Sequence, residues 1–575
     1  MDTVVAVVGS GPAVEAVLAA LGDIDVGVDQ QETPAIDAVE FAIVAGQSGE
    51  SIFETASEQA LDGSTPWLSV ELGGIGGEPV CPASVAGFAP ERECYNCLQG
   101  RVEANTDPET ESVEGPDPPT ERVAGAIAGE AAATLLTESD PDPSAALLGH
   151  VIELPRQQRR FLPLPGCSCG SDRATTVETD YVAQTTEEAL GRAELGLDDR
   201  VGVVQQVGET ESFPAPYYLA ELTDTSGFSA VTAPRQAAGV APDWDSAFMK
   251  ALGESYERYA AGVYTDTDTT TGSAASLPDA VSPAAFVAPA DTAVDDDTEI
   301  QWVQATHLVT EERALVPAEL VCHPPTEWQV RPPLTTGLGL GSSGVEALLT
   351  GLYEVIERDA AMLSWYSTYE PLGLTVDEDI FGTLYERATA EGLTVTPLLL
   401  TQDVDVPVVA VAVHRDEWPS FAVGSAADLD PEQAALGALE EALQNWMELR
   451  GMGPEAADNA SGAIGRYADK PEHAIELLNY SQTIPAAAVG PEEGYEGETE
   501  LDHLLDRVTE VGMTPYAART TTRDIESIGF EGVRVLVPEA QPLFLGDAYF
   551  GERARRIPES LGFEPALDRQ HHPFP

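Results

Sequence analysis

Apolar and polar positions change period several times along this chain. Residues 3–21 begin with an apolar run, TVVAVVGSG, and continue as PAVEAVLAAL, which predicts a strand, a glycine turn and a helix. Apolar runs at 26–28, 41–44 and 67–72 extend the α/β order. Residues 105–120, NTDPETESVEGPDPPT, are rich in Pro, Asp and Glu and predict a loop or insertion. A short Ala-rich helix follows, then a second such stretch, TESDPDPS at 137–144, and a third at about 265–298. From about residue 205 the elements lengthen. Strands are expected at 301–309, 393–401, 406–414 and 533–537, and helices at 245–264, 344–366, 431–450 and 500–511. This mixture predicts a large α/β or α+β catalytic unit filling the C-terminal two-thirds.

Composition narrows the functional classes. A chain of 575 residues implies two or three domains. It carries 28 basic against 98 acidic residues, a net charge of −70, and its only lysines are Lys250 and Lys470. Such a field repels nucleic acid and anionic lipid, so neither is expected as a partner. A hydrophobic content of 43% is enough for a core and excludes bulk disorder. Abundant acids with almost no lysine fit a salt-accumulating halophile of haloarchaeal type, where a Debye length of about 3 Å screens self-repulsion. An acidic mesophilic protein is the alternative. No run of apolar residues is long enough to span a membrane, and the N-terminus lacks a basic segment before its apolar run. A cytoplasmic protein is expected.

Three motifs could carry chemistry. Gly9-Ser10-Gly11 resembles a dinucleotide turn, with Asp23, Asp25 and Asp29 as candidate ribose acids, but Val14 stands at the third glycine position. A glycine-rich strand-to-helix turn alone is a weak signal, and a Rossmann-like turn that binds no nucleotide is the favoured reading. Cys94-Tyr-Asn-Cys97 and Cys167-Ser-Cys169 offer four thiolates from two short turns, the donor set of a closed structural zinc site. Unligated cysteines are the alternative, and Cys81 and Cys322 are expected to be packing residues.

The third motif is a pair of carboxylate helices. LGESYER at 252–258 is matched after 100 residues by LYEVIER at 352–358. On a helix Glu254 and Glu257 lie about 60° apart, Glu346 and Glu357 about 20°, and Glu354 and Glu357 about 60°. Converging carboxylates repel one another unless cations sit between them, and hard oxygen ligands suit magnesium shared with substrate phosphates. Glu440, Glu441 and Gln444 add a third acidic helix. Solvated helix faces are the alternative in so acidic a chain.

These residues, with the lead-in GLGLGSS at 337–343, GLYEVIERDA at 351–360 and Glu441-Ala-Leu-Gln444, resemble the YcaO domain. The resemblance covers residues 180–575. It implies ATP and magnesium as cofactors and phosphorylation of a peptide-backbone amide oxygen. It places Glu254, Glu257, Glu346, Glu354 and Glu357 around magnesium, and adds Arg358, Glu441 and Gln444 around the nucleotide. The tail His572-Pro573-Phe574-Pro575 resembles the proline-rich end of azoline-forming members, which implies Pro573 and Pro575, with Arg358, near the reacting atoms. Two departures stand out. Arg235 occupies the loop where many members have a lysine, and His571 replaces the first proline of the tail. Residues 1–175, with CYNC and LPLPGCSCG, resemble the zinc-bearing partner domain related to ThiF and ubiquitin-activating enzymes.

The expected fold class is therefore α/β and α+β: a truncated Rossmann-like domain with structural zinc, then a large YcaO-type α+β domain. The expected function is azoline-forming cyclodehydration of Cys, Ser or Thr in a ribosomal precursor peptide. Thioamide formation from sulfide, or a non-catalytic peptide-binding scaffold, are the alternatives. A dehydrogenase or sulfur-donating protein is an expected partner, and a homodimer the expected assembly.

Overall fold

The computed structural model describes residues 3–575 other than 91, 111, 114, 139–141, 156, 171–172, 293, 378 and 458–462. β1 (Val4–Val8) is an apolar strand buried at four of its five positions. At the turn that follows, Gly9 has φ +113°, and a Cβ there would lie 2.3 Å from the Ala45 carbonyl oxygen. That close approach accounts for the glycine without a bound nucleotide. α1 (Pro12–Leu21) leads to β2 (Gly27–Gln31), β3 (Phe41–Gln47), α2 (Ile52–Gly63) and β4 (Trp67–Leu72). β5 (Ala83–Phe88), α3 (Tyr95–Ala104), α4 (Pro118–Thr137), β6 (His150–Glu153) and β7 (Gln157–Arg160) follow. The seven strands form one sheet in the order β2-β1-β3-β4-β5-β6-β7, parallel through β4 and antiparallel beyond. Apolar residues of α1 and α4 cover one face, and those of α2 and α3 the other.

The Pro- and Asp-rich stretch 105–120 is not all loop. α4 begins at Pro118 within it and runs for 20 residues rather than as a short helix. Asp117 accepts a hydrogen bond from the Thr120 N–H at 3.0 Å, and Pro118-Pro119 occupy the first turn, where no intrahelical donor is needed. The acids and prolines that read as a breaker are a helix start. Positions 111, 114, 139–141 and 293 of the expected loops lie outside the described residues.

After α5 (Thr186–Ala193), β8 (Val204–Glu211), β9 (Tyr217–Leu222) and β10 (Gln236–Val240) form an antiparallel sheet against α6 (Trp244–Gly262). Next come β11 (Thr270–Gly272), β12 (Ile300–His307), β13 (Arg313–Pro317), β14 (Leu338–Gly341), α7 (Gly344–Trp365), β15 (Leu372–Thr375) and α8 (Asp379–Ala390). The chain continues through β16 (Thr394–Leu399), β17 (Val408–His414), β18 (Phe421–Ala427), α9 (Pro431–Met452) and β19 (Thr483–Pro485). β20 (Tyr516–Arg519) and β21 (Glu531–Leu536) come last. Two sheets result, β11-β12-β20-β21-β14 with β13 added on β12, and β18-β17-β16-β15-β19.

Three strand–helix pairs share one construction. Gly239 of β10 lies against Ala247 and Ala251 of α6, Gly339 of β14 against Ala347 and Gly351 of α7, and Gly424 of β18 against Ala438 and Ala442 of α9. In each pair an added Cβ would approach helix backbone to 2.5 Å or less, so each helix lies directly on its strand. The helices start on side-chain caps from Asp243, Ser343 and Asp430. The C-terminus is packed rather than frayed: His572 and Phe574 are buried, Trp365 Nε1 donates to the Gln570 carbonyl at 2.8 Å, and the Tyr467 hydroxyl donates to that of His571.

Candidate active site

The three strand–helix pairs aim their carboxylates at one another. Each strand, or for β14 the residue just before it, fixes a glutamate of its helix through a backbone N–H. Glu254 accepts from Ala238 at 3.2 Å, Glu354 from Gly337 at 2.9 Å and Glu441 from Ser425 at 2.7 Å. Glu346, in the first turn of α7, accepts from the Ser342 N–H at 2.8 Å. Between the helices lies a cavity of about 540 Å³, lined on one side by Glu254, Glu257, Glu346, Glu441 and Gln444. Val240, Met249, Leu340 and Phe530 supply an apolar side. That volume lies within the ~300–1,000 Å³ typical of small-molecule sites.

Glu354, Glu357 and Arg358 stand behind this wall. The Arg358 guanidinium is shared among Glu357 at 3.2 Å, Glu441 at 3.5 Å and Glu354 at 3.9 Å. Glu357 also accepts from the Ser425 hydroxyl at 2.6 Å. Arg258, the equivalent of Arg358 in the first copy, lies 3.3 Å from Glu254 and 4.0 Å from Glu257. Among the described residues, Arg258 Nη1 is buried without a hydrogen bond, and Arg358 Nη1 is buried with the 3.2 Å ion pair to Glu357 as its contact. Buried donors of that kind suit a phosphate oxygen.

Burial pushes the Glu257 carboxyl up to about 7; Arg258 opposes the shift, and Glu354 and Glu254 add to it. Burial likewise raises Glu357 to about 8, against the pull of Arg358 and with the push of Glu441. Glu441 is raised by burial as well. Carboxylates held above their ordinary range by burial first, and by one another second, are what a divalent cation would relieve, so the donor set fits magnesium.

Several further groups here were not singled out from sequence. Lys250 lines the cavity and pairs with Glu440. Glu448, one turn beyond Gln444, is raised by burial and by the nearby Glu254. Arg534 of β21 lies near Glu354 and Glu257 and donates to the Thr335 and Leu334 carbonyls at 2.6 and 2.7 Å. Superposing the close-packed glycines would have found Glu448, since it holds the place on α9 that Glu257 and Glu357 hold on α6 and α7. Pro573 and Pro575 do not line this cavity. Their neighbour His572 donates Nε2–H to the Phe544 carbonyl at 2.7 Å. Burial, then His571 and, more weakly, Arg358 hold its imidazole down at about 3. Phe574 borders a separate groove of about 1260 Å³ beside Trp365 and Arg569.

The four cysteines converge elsewhere. Sγ atoms of Cys94 and Cys167 are 3.5 Å apart, those of Cys97 and Cys169 3.4 Å, and those of Cys94 and Cys97 3.9 Å. All four lie within 4.8 Å of one another. A zinc tetrathiolate with ~2.3 Å bonds has edges of about 3.8 Å, so the donor set and its spacing fit the metal. Hydrogen bonding from Cys167, Cys94 and Cys97, and then Arg523, pulls the Cys169 thiol pKa down. Cys81 is buried, and burial pushes the Cys322 thiol up to about 12; neither belongs to the cluster. α3 carries the cluster onward: its Arg101 is fully buried, pairs with Asp524 and donates to the Tyr259 hydroxyl of α6 at 3.2 Å.

Known proteins share this fold. The chain is 30% identical over 326 residues to an uncharacterized protein of Methanothermobacter thermautotrophicus, spanning 53% of this chain and 81% of that protein. A solved heterocyclase in complex with substrate and cofactor superposes with a TM-score of 0.75 at 19% identity, covering 98% of this chain and 83% of its own. The heterocyclase TruD gives 0.66 at 19% identity, covering 98% and 82%. These structures share the fold. A family model described as YcaO cyclodehydratase, ATP- and Mg2+-binding, matches residues 238–541. The chain belongs to the YcaO family.

Proposed function

We propose that this protein is an ATP- and magnesium-dependent cyclodehydratase that forms azolines from Cys, Ser or Thr of a peptide. The observation that carries the reading is the ring of carboxylates around one cavity, backed by two buried arginines, of which Arg258 keeps an N–H group without a partner among the described residues. Glu254, Glu257, Glu346, Glu354, Glu357 and Glu441 would hold magnesium, and Gln444 would join them at the nucleotide. When bound, magnesium neutralises phosphate charge. The apolar side formed by Met249, Leu340 and Phe530 would take the purine.

Chemistry then reduces to positioning. The side-chain thiol or hydroxyl adds to the preceding backbone carbonyl, whose oxygen takes the γ-phosphoryl group from ATP and leaves ADP. Loss of that oxygen as phosphate, with the amide proton, closes the C=N bond. Arg358 and Arg258 would steady the phosphoryl oxygens, since such transfer needs charge stabilisation and alignment more than covalent help. A buried tail ending in Pro573-Phe574-Pro575, with His572 close enough to feel the charge of Arg358, supports a role for the tail at the peptide side of the site. The cysteine cluster would hold zinc as a closed structural site.

The test is product mass. With a peptide substrate, ATP turnover should rise and the product should lose one water per ring. A product that instead exchanges oxygen for sulfur when sulfide is supplied would replace the azoline reading with thioamide formation.

A further inference from the structure

Basic residues are scarce in this chain, yet four arginines line one cavity of about 310 Å³. The cavity lies where separated segments meet: Arg92 ahead of α3, Arg173 before α5, and Arg519 and Arg523 at the end of β20 and just beyond it. Two of these arginines are committed. Arg519 donates to Glu531 at 2.7 and 2.8 Å and to Glu526 at 3.0 Å. Arg523 lies 3.8 Å from Cys169 Sγ and 3.5 Å from the Cys167 carbonyl. The other two have no carboxylate partner among the described residues. Arg173 donates to carbonyls only, those of Thr521 at 2.9 Å, Val263 at 3.2 Å and Thr520. Arg92 is exposed, and its guanidinium makes no hydrogen bond or ion pair among the described residues.

The lining acids are Glu93 and Glu526. Arg519 is offset by Glu531 and Glu526 and Arg523 by the thiolates of the cysteine cluster, so Arg92 and Arg173 are the guanidiniums left for a ligand, with Glu93 as the lining acid beside them and Asp268 near Arg173 outside the cavity; that balance suits a monoanionic carboxylate better than a phosphate dianion. In a molecule of net charge −70, this concavity is a place where an acidic ligand is attracted rather than repelled. Contact pairing of guanidinium with carboxylate also survives high salt, which screens charges beyond about 3 Å. We propose that the cavity binds a carboxylate of the polypeptide substrate, an Asp or Glu side chain or a chain end, through Arg92 and Arg173. The identity of the ligand as substrate rests on the function proposed above.

The position suits such an anchor. Asp524, next to Arg523, pairs with Arg101 and accepts from the Tyr259 hydroxyl of α6 at 2.6 Å. The cavity wall is therefore continuous with the helix that carries Glu254 and Glu257. The test uses the full chain, zinc-loaded and without ATP, and the fluorescence anisotropy of labelled hexaglutamate and hexaglutamine. Hexaglutamate should bind at least ~10-fold more tightly, a difference of about 1.4 kcal/mol. Arg92→Gln should remove most of that preference and Arg92→Lys only part of it, with Mg-ATP affinity unchanged in both. Acetate, a monoanionic carboxylate, should displace hexaglutamate at lower concentration than inorganic phosphate. Equal binding of the two peptides, an unchanged preference in Arg92→Gln, or stronger displacement by phosphate would overturn the proposal. Binding of acetate without hexaglutamate would overturn the peptide assignment. No turnover enters these readouts, so they stand or fall apart from the reaction proposed for the active site.

Discussion

The cysteine cluster and the carboxylate cavity are both gatherings of metal-binding side chains, but they are built in opposite ways. The four thiols lie within 4.8 Å of one another, three of the pairs at 3.4–3.9 Å, and are mostly buried. The carboxylates stand around about 540 Å³ of space; Glu346 is held by a backbone N–H, and Glu254 and Glu441 each by a backbone N–H on one oxygen and an arginine on the other. A closed donor set leaves a metal no position for substrate, whereas an open one does. One region is organised to hold the chain together and the other to hold a ligand. Damage to each should appear in a different measurement.

The largest effect is expected at the cysteines. Cys94→Ser removes one thiolate of a site at which metal binding would itself be folding energy. The melting transition of the N-terminal region should fall by about 10 °C, at ~2–4 °C per kcal/mol for a unit of this size. Zinc content by elemental analysis should drop from one per chain, while ATP affinity of the still-folded protein holds. Calorimetry showing an unchanged transition and no zinc in the parent protein would erase the distinction drawn here.

Glu357→Gln should act in the opposite sense. Mg-ATP affinity should weaken about 10- to 100-fold, roughly 1.4–2.8 kcal/mol, while thermal stability at neutral pH holds or rises. The reason is linkage. With burial raising Glu257 from 4.5 to about 7 and Glu357 from 4.5 to about 8, the folded chain keeps protons that the unfolded chain has released. Stability of the metal-free protein should therefore fall as pH rises from about 4.5 through about 8. Magnesium should restore it most at the alkaline end, with protons released on binding. Isothermal titration in two buffers of different ionisation enthalpy reads that release. A pH-independent magnesium affinity would remove these carboxylates from the site.

Much of this contrast is legible in the sequence because it rests on local repeats. The two ExxER copies, 100 residues apart, announce paired helices, and CxxC with CxC announces a thiolate set. Less visible is what three-dimensional packing decides. The third pair, with Gly424 and α9, lacks the ExxER spelling, so Glu448 has no local signal. Arg534 reaches the site from a strand close to the chain end. The start of α4 hides in a run of acids and prolines, since residues that break a helix interior also cap its first turn. The arginine cavity draws on segments more than 400 positions apart, which no spacing rule connects.

A smaller effect sharpens the picture of the tail. Removing Pro573, Phe574 and Pro575 deletes the buried Phe574 ring but none of the carboxylates. Ring formation should drop at least ~10-fold through kcat while Mg-ATP affinity changes less than about twofold. Full ring formation after the deletion would confine the chemistry to the carboxylate cavity alone.

The central claim is that ATP is spent on a backbone amide oxygen, and an isotope measures it most directly. A peptide carrying heavy oxygen at the amide preceding its Cys, Ser or Thr is turned over once with ATP, and the released phosphate is weighed. Heavy oxygen in the phosphate, one atom per ring formed, is the result predicted. Rings formed with the label absent from phosphate would contradict the account.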